Sequence, residues 1–229
     1  MGKKQGKSGI EWCDYTSNMV LGRCPMKPNC HYCYMTSFYH RFGIDETIRL
    51  SEKELKWHPR TTGQRIFVGS NLDLFHPDIP HEWKQAIVEK AIKDKQNVYM
   101  FLTKLPREYG VYCRGVYPNI WWGTTWDGTE RTLRNLVDLY SHAIGNLFAS
   151  FEPLLAEPAV SSGIDLDWII IGADSRPGAK KPPIEWAEKL VRTGKVFHIP
   201  VFIKSNYGYP KKIQQWPDSM MEYLGRIRR

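Results

Sequence analysis

Three observations predict a parallel α/β fold. Short apolar or aromatic runs of strand length recur along the 229 residues, segments of helical periodicity stand between them, and most of the runs end on polar or chargeable residues. Seven runs qualify as strands in chain order: NMVLG (18–22), RIFVGS (65–70), NVYMFLTK (97–104), NIWWGTT (119–125), LFASFEP (147–153), DWIIIGADS (167–175) and PVFIKS (200–205). The unbroken apolar character of DWIIIG suits a strand buried on both faces, as in parallel sheets. Residues 82–95 carry Trp83, Ala86, Ile87 and Ala91 on one stripe and read as a helix. ERTLRNLVDLYSHA (130–143) places Leu133, Leu136, Val137 and Tyr140 on one helical face, with Asp127 and Glu130 spaced as a capping box. PPIEWAEKLVRTG (182–194) opens on proline and closes at Gly194, the asymmetry helices favour. No repeat or linker divides the chain, so residues 1–229 are expected to form one domain, with 1–16 an N-terminal extension and 206–229 a basic C-terminal segment.

Alternation alone does not separate an open sheet from a barrel, but the strand ends say where function lies. Ser70, Asn71 and Asp73, Thr103 and Lys104, Thr124 and Thr125, Glu152, Asp174 with Ser175 and Arg176, and Lys204 with Ser205 and Asn206 stand at successive carboxyl ends. In barrels and open parallel sheets alike, ligands are held at that rim. The run of polar ends predicts a polar cavity ringed by strand tips.

Composition narrows the partners. A formal charge of +8 favours an anionic partner, and nine Trp, twelve Tyr and nine Phe supply stacking surfaces, so nucleic acid or a nucleotide comes first. No apolar run approaches the eighteen or so residues of a membrane span. The opening MGKKQGKSG lacks the apolar stretch of a signal peptide, and Gly6 stands where myristoylation requires serine or threonine. A soluble cytoplasmic protein with no membrane partner is expected. Five cysteines, an odd count with three clustered, argue against a disulfide framework and for metal or redox chemistry.

The cluster lies in GRCPMKPNCHYCYMTS, where Cys24, Cys30 and Cys33 fall within ten residues. Structural zinc takes four protein ligands, which these three would complete with His31, His40 or Cys13. Three thiolates without an obligatory fourth also suit a four-iron, four-sulfur (4Fe-4S) cluster that leaves one iron open.

The segment CPMKPNCHYCY, with its CX5CX2C spacing and Tyr32 before the third cysteine, resembles the signature of radical S-adenosylmethionine (SAM) enzymes. Further pieces, in order, resemble a group of phage and prophage proteins beside or inside that superfamily: IEWCDYTSN (10–18), CYMTSFYHRF (33–42), SNLDLFHPDIP (70–80), FLTKLP (101–106), WWGTT (121–125), FEPLL (151–155), DWIIIGADSRPGA (167–179) and VFIKSN (201–206). The resemblance implies a partial parallel (β/α)6 TIM-like barrel, with NMVLG the strand that runs into the cysteine loop. It also implies a 4Fe-4S cluster on Cys24, Cys30 and Cys33, with SAM on the open iron. One-electron cleavage of SAM would give a 5′-deoxyadenosyl radical that takes hydrogen from a substrate, with a donor such as flavodoxin or ferredoxin supplying the electron. Phage context, charge and aromatic content together point to a nucleotide or DNA base, such as a hypermodified thymine bearing an amino-acid-derived group that is rearranged or isomerised.

Within that frame, cofactor-binding roles fall to Tyr32, near the adenine, and to Gly69, Ser70, Asn71 and Asp73. These four stand where the superfamily carries a glycine-rich element. Lys104 would meet an anion, since a buried ammonium needs a partner. Thr124 and Thr125 would face the ribose, Glu152 a polar group of the ligand, and Gly172 and Asp174 lie in a loop whose backbone approaches SAM. His76, Arg176, Lys204 and Asn206 are the substrate-facing candidates. His40, His58, His76, His81, His142 and His198 show no metal-type pairing, and Cys13 and Cys113 read as small buried residues. With no second cysteine cluster, no auxiliary iron–sulfur centre is expected. Two rivals remain at this stage: a zinc-stabilised nucleic-acid-binding protein without catalysis, and a metal-free TIM-like hydrolase using Asp73, Glu152 and Asp174.

Overall fold

The computed structural model describes residues 8–26, 30–33, 35–159 and 165–228, and of Ser37, Phe38 and His40 the backbone alone. The elements run β1 (Tyr15–Ser17), β2 (Val20–Leu21), α1 (Met35–Phe42), β3 (Arg49–Leu50), α2 (Glu52–Leu55), β4 (Arg65–Val68), α3 (His81–Lys93), β5 (Val98–Thr103), β6 (Ile120–Thr125), α4 (Asn135–His142), β7 (Asn146–Phe151), β8 (Trp168–Ile171), α5 (Ile184–Val196), β9 (Val201–Ile203) and α6 (Asp218–Ile227). Seven strands form one sheet in the order β1-β4-β5-β6-β7-β8-β9, every pair parallel. The order never reverses, so there is no switch point; the sheet winds one way and curls into the expected partial TIM-like barrel.

Period-two alternation gives the sheet two faces of different character. Outward go Ile66, Val68, Tyr99, Phe101, Trp122, Ile169 and Ile171, packed in one cluster with Ile87, Val88 and Ala91 of α3, Leu139 of α4 and Leu190 of α5. Inward go Phe67, Val98, Met100, Trp121, Phe148, Trp168, Ile170 and Phe202, which form a second cluster with Trp12, Met220 and Leu224. The half-barrel is therefore filled by aromatic rings in mutual contact, Trp12 on Phe67 at 4.7 Å and Trp168 edge-on to Phe202 at 6.1 Å among them. The α6 helix and Trp12 close it from below.

Six of the expected strands lie in this sheet, within a residue or two at their starts. NMVLG does not: only Val20–Leu21 is extended, and it pairs antiparallel with β3 in a separate ribbon. The sheet's first strand is Tyr15–Ser17, so the boundary of the supposed extension falls inside a strand, and Trp12 before it is 2% exposed. The helix expected over 130–143 is a 3-10 turn, Glu130–Thr132, followed by α4; Leu133 and Val137 of the apolar stripe are exposed, and Asn135, Asp138 and Leu139 are buried instead. Tertiary bonds decide this, because the Asn135 side chain donates to the carbonyls of Thr125 at 2.8 Å and Lys104 at 3.2 Å and fixes which face turns in. The α5 helix passes through Gly194, where a Cβ would come within 2.5 Å of Val201 Cγ2 and 2.7 Å of the Ile199 carbonyl, so this glycine serves helix–strand approach rather than termination. Two crossovers, β5 to β6 and β7 to β8, contain no α-helix among the described residues.

Candidate active site

Above the aromatic layer the inward positions change size and then polarity. Two residues beyond Phe67, Met100, Trp121, Phe148, Ile170 and Phe202 stand Gly69, Leu102, Gly123, Ser150, Gly172 and Lys204. Two further along four of these strands stand Lys104, Thr125, Glu152 and Asp174. Small residues above large ones leave room, and the polar residues ring it. The result is a cavity of about 390 Å³ at the carboxyl mouth, within the range of cofactor sites. Trp12, Phe67, Ile10 and Leu102 give it an apolar floor.

Two glycines hold that geometry. A Cβ on Gly123 would sit 2.3 Å from the Phe148 ring, which occupies the space a side chain would take. A Cβ on Gly172 would sit 2.5 Å from Glu152 Cδ. Only glycine lets the Glu152 carboxylate lie across β8 to its ion pair with Lys204.

The cysteine loop reaches the same cavity through the long crossover from β1 to β4. The β2–β3 ribbon pins its start: Gly22, at φ +114°, passes where a Cβ would be 2.5 Å from the Thr47 carbonyl, and Tyr39 of α1 donates to the Gly22 carbonyl at 2.6 Å. At the other end the Cys33 amide donates to Cys30 at 2.9 Å, and α1 starts immediately afterwards. Cys24, Cys30 and Cys33 all line the cavity. Burial pushes the Cys24 thiol up to about 11, opposed by the Asp73 amide, which donates to its sulfur at 3.3 Å. Burial also raises Cys30, against the lowering pull of Lys104 and Arg131. Buried thiols of this kind give up their protons to a bound cation. Among the described residues no three His, Cys, Asp or Glu side chains gather as a single-ion site would require.

Most of the sequence-predicted residues meet here. Tyr32, Gly69, Ser70, Asn71, Asp73, Lys104, Thr125, Glu152, Asp174 and Lys204 line the cavity with the three cysteines. Lys104 Nζ lies 5.6 Å from the centre of the Tyr32 ring. Asp73 holds the strand tips together, accepting from Thr103 Oγ1 at 2.6 Å, the Lys104 amide at 2.8 Å and the Phe75 amide at 3.2 Å. Glu152 is paired to Lys204, and Asp174 to Arg176 at 2.6 Å. All three carboxylates of the hydrolase reading are thus engaged, which leaves that reading without an unpaired base.

Five predicted residues do not line the cavity. Thr124 turns to the outer face and donates to the Thr103 carbonyl at 2.9 Å. Gly172 acts through its missing side chain. His76 lies in the loop after β4, where its Nδ1 accepts from the Asp78 amide at 3.2 Å. Arg176 ties Asp174 to the cysteine loop by donating to the His31 carbonyl at 2.9 Å. Asn206 clamps Ala173 by two bonds, 3.3 and 2.8 Å.

Sequence reasoning missed Asp127, Arg131, Ser150 and Trp12. Asp127, in the turn after β6, is fully buried and accepts from the Tyr32 hydroxyl, the Thr129 amide at 2.9 Å, and the hydroxyls of Thr129 and Thr132 at 2.6 Å each. Burial alone would raise its carboxyl, but these donors hold it below the usual carboxylate range. Its spacing to Glu130 pointed to a helix cap; the one cue to a deeper role was its place two residues beyond a strand tip.

The fold recurs in solved structures. A single-substitution variant of spore photoproduct lyase matches with a TM-score of 0.52 at 11% identity, over 87% of this chain and 78% of that one. Spore photoproduct lyase complexed with dinucleoside spore photoproduct matches at 0.50 and 12% identity over the same shares, 87% and 78%. At such identities the likeness concerns the fold alone, a partial parallel barrel. No curated protein matches the chain. Residues 7–222 match the family described as protein of unknown function, DUF5131, and the chain belongs to that family.

Proposed function

We propose that the chain is a radical SAM enzyme. In this reading Cys24, Cys30 and Cys33 hold a 4Fe-4S cluster, SAM binds in the cavity, and a nucleotide or DNA base is the substrate. One observation carries it: three cysteines line a single cavity at the carboxyl mouth of the partial barrel, and neither Cys13 nor Cys113 lines it with them. The donor set suits such a cluster, whose irons take cysteine thiolates. Bound together, cluster and SAM would supply one-electron cleavage of SAM to a 5′-deoxyadenosyl radical that takes hydrogen from substrate.

The chain's own residues then bind, orient and shield. Lys104 has no ion-pair partner among the described residues and offers its ammonium to the SAM carboxylate. Gly69, Ser70 and Asn71 bring backbone and polar side chains to the cofactor, and Thr125 and the Glu152–Lys204 pair supply hydrogen-bonding groups across the cavity. The floor of Trp12, Phe67 and Leu102 excludes water from a site that must protect a reactive species. A charge of +8 and the dinucleoside bound within a similar fold favour a nucleotide or DNA base, a hypermodified thymine with an amino-acid-derived group being the specific candidate. Flavodoxin or ferredoxin would deliver the electron.

The test is iron, sulfide and zinc analysis with a visible spectrum on protein purified without oxygen, followed by assay for 5′-deoxyadenosine after reduction with SAM. The expected outcome is about four irons and four sulfides per chain, with 5′-deoxyadenosine lost when Cys24, Cys30 or Cys33 is replaced by alanine. Stoichiometric zinc with no colour after attempted reconstitution would overturn the reading.

A further inference from the structure

The turn between β6 and α4 touches the cysteine loop twice. Asp127 takes the Tyr32 hydroxyl bond, and four residues on Arg131 Nη2 lies 3.8 Å from Cys30 Sγ, within reach of a sulfur acceptor. The same Nη2 lies 3.5 Å from Asp127 Oδ2. The carboxylate itself accepts from the hydroxyls of Thr129 and Thr132, so the guanidinium is aimed at the sulfur by an anchored partner. Arg131 is one-quarter exposed and Asp127 fully buried, which keeps the contact only partly screened by solvent.

We propose that Arg131 is a positioning residue that tunes the cluster: a guanidinium donating to the sulfur of Cys30, held on target by Asp127. This rests on the radical SAM reading above. A positive donor at a ligand sulfur stabilises the more negative, reduced state, so it raises the reduction potential. Asp127 has the second task of holding Tyr32, and with it the CHYC turn, against β6. Neither residue touches SAM or substrate in this scheme, and both act through the cysteine loop.

The experiment is an anaerobic redox titration, followed by electron paramagnetic resonance, of the reconstituted cluster in wild type, Arg131→Leu, Arg131→Lys and Asp127→Asn. The potential should move to more negative values in Arg131→Leu and less far in Arg131→Lys, which keeps the charge but loses the fork. Asp127→Asn should move it in the same direction, since the guanidinium loses its anchor. Equal potentials in wild type and Arg131→Lys, together with an unchanged Arg131→Leu, would overturn the proposal while leaving the radical SAM reading intact. Should Arg131→Leu fail to assemble a cluster, Arg131→Lys decides alone, a shift supporting the proposal and no shift overturning it. A wild-type chain that assembles no iron–sulfur cluster overturns both.

Discussion

Gly172 shows how much of the site hangs on a missing side chain. Its Cβ would fall on the Glu152 carboxyl, so Gly172→Ala should displace Glu152 from Lys204 and cost about 1–3 kcal/mol, the usual penalty of overpacking. Urea denaturation reads that cost, and an unchanged midpoint would show that Glu152 has room to swing away. Lys104 makes the complementary case. If its ammonium meets the SAM carboxylate, Lys104→Met removes a charged hydrogen bond of about 1.5–3 kcal/mol, a roughly tenfold to hundredfold weaker SAM affinity by equilibrium dialysis on the reconstituted protein. The strand-tip residues were legible in the sequence because a polar residue after an apolar run is a local signal. Asp127 and Arg131 were not, since their partners Tyr32 and Cys30 lie roughly a hundred residues away and no local pattern encodes that contact.

The elements divide along the same line. Strands β4 to β9 were readable because a buried parallel strand is apolar at nearly every position. The β1 strand was hidden by its brevity and by polar Thr16 and Ser17, and its place is set by pairing, Tyr15 with Ile66 and Ser17 with Val68. The register of α4 was misread because apolar spacing does not reveal that Asn135 will turn inward to hold two strand carbonyls. The sequence of α6 reads as a basic tail, yet Met220 and Leu224 are buried at 0% and 1% exposure against the inner face of the sheet. Leu224→Ala should therefore cost about 2–5 kcal/mol by opening a hole beneath the aromatic layer. A loss under about 1 kcal/mol in urea denaturation would mean that α6 merely rests on the barrel.

At the scale of the molecule, the segment before β1 ties the two ends of the sheet to one another. Asp14 accepts two side-chain bonds from Arg65 at 2.8 and 2.9 Å, while Glu11 accepts from the Ser205 amide at 2.9 Å and hydroxyl at 2.7 Å, and from Gln214 at 2.9 Å. Burial alone would raise the Asp14 carboxyl, but Arg65 outweighs it and holds the folded value below the ordinary one. Its contribution to stability is thus complete above the unfolded pKa of about 4 and is lost as pH falls through the folded value. The urea midpoint of wild type should drop more steeply below about pH 4 than that of Asp14→Asn; parallel pH profiles would remove Asp14 from the acid response.

The bonds of Glu11 join residues 194 and 203 positions apart. Trp12 likewise packs in one cluster with Met220 and Leu224, roughly two hundred residues further along the chain. Contacts of such separation are slow to form, because most of the chain must be ordered before they repay the closure of the loop. The floor of the cavity is therefore a late event in folding, and a chain stalled before α6 would carry all three cysteines on an unfinished barrel.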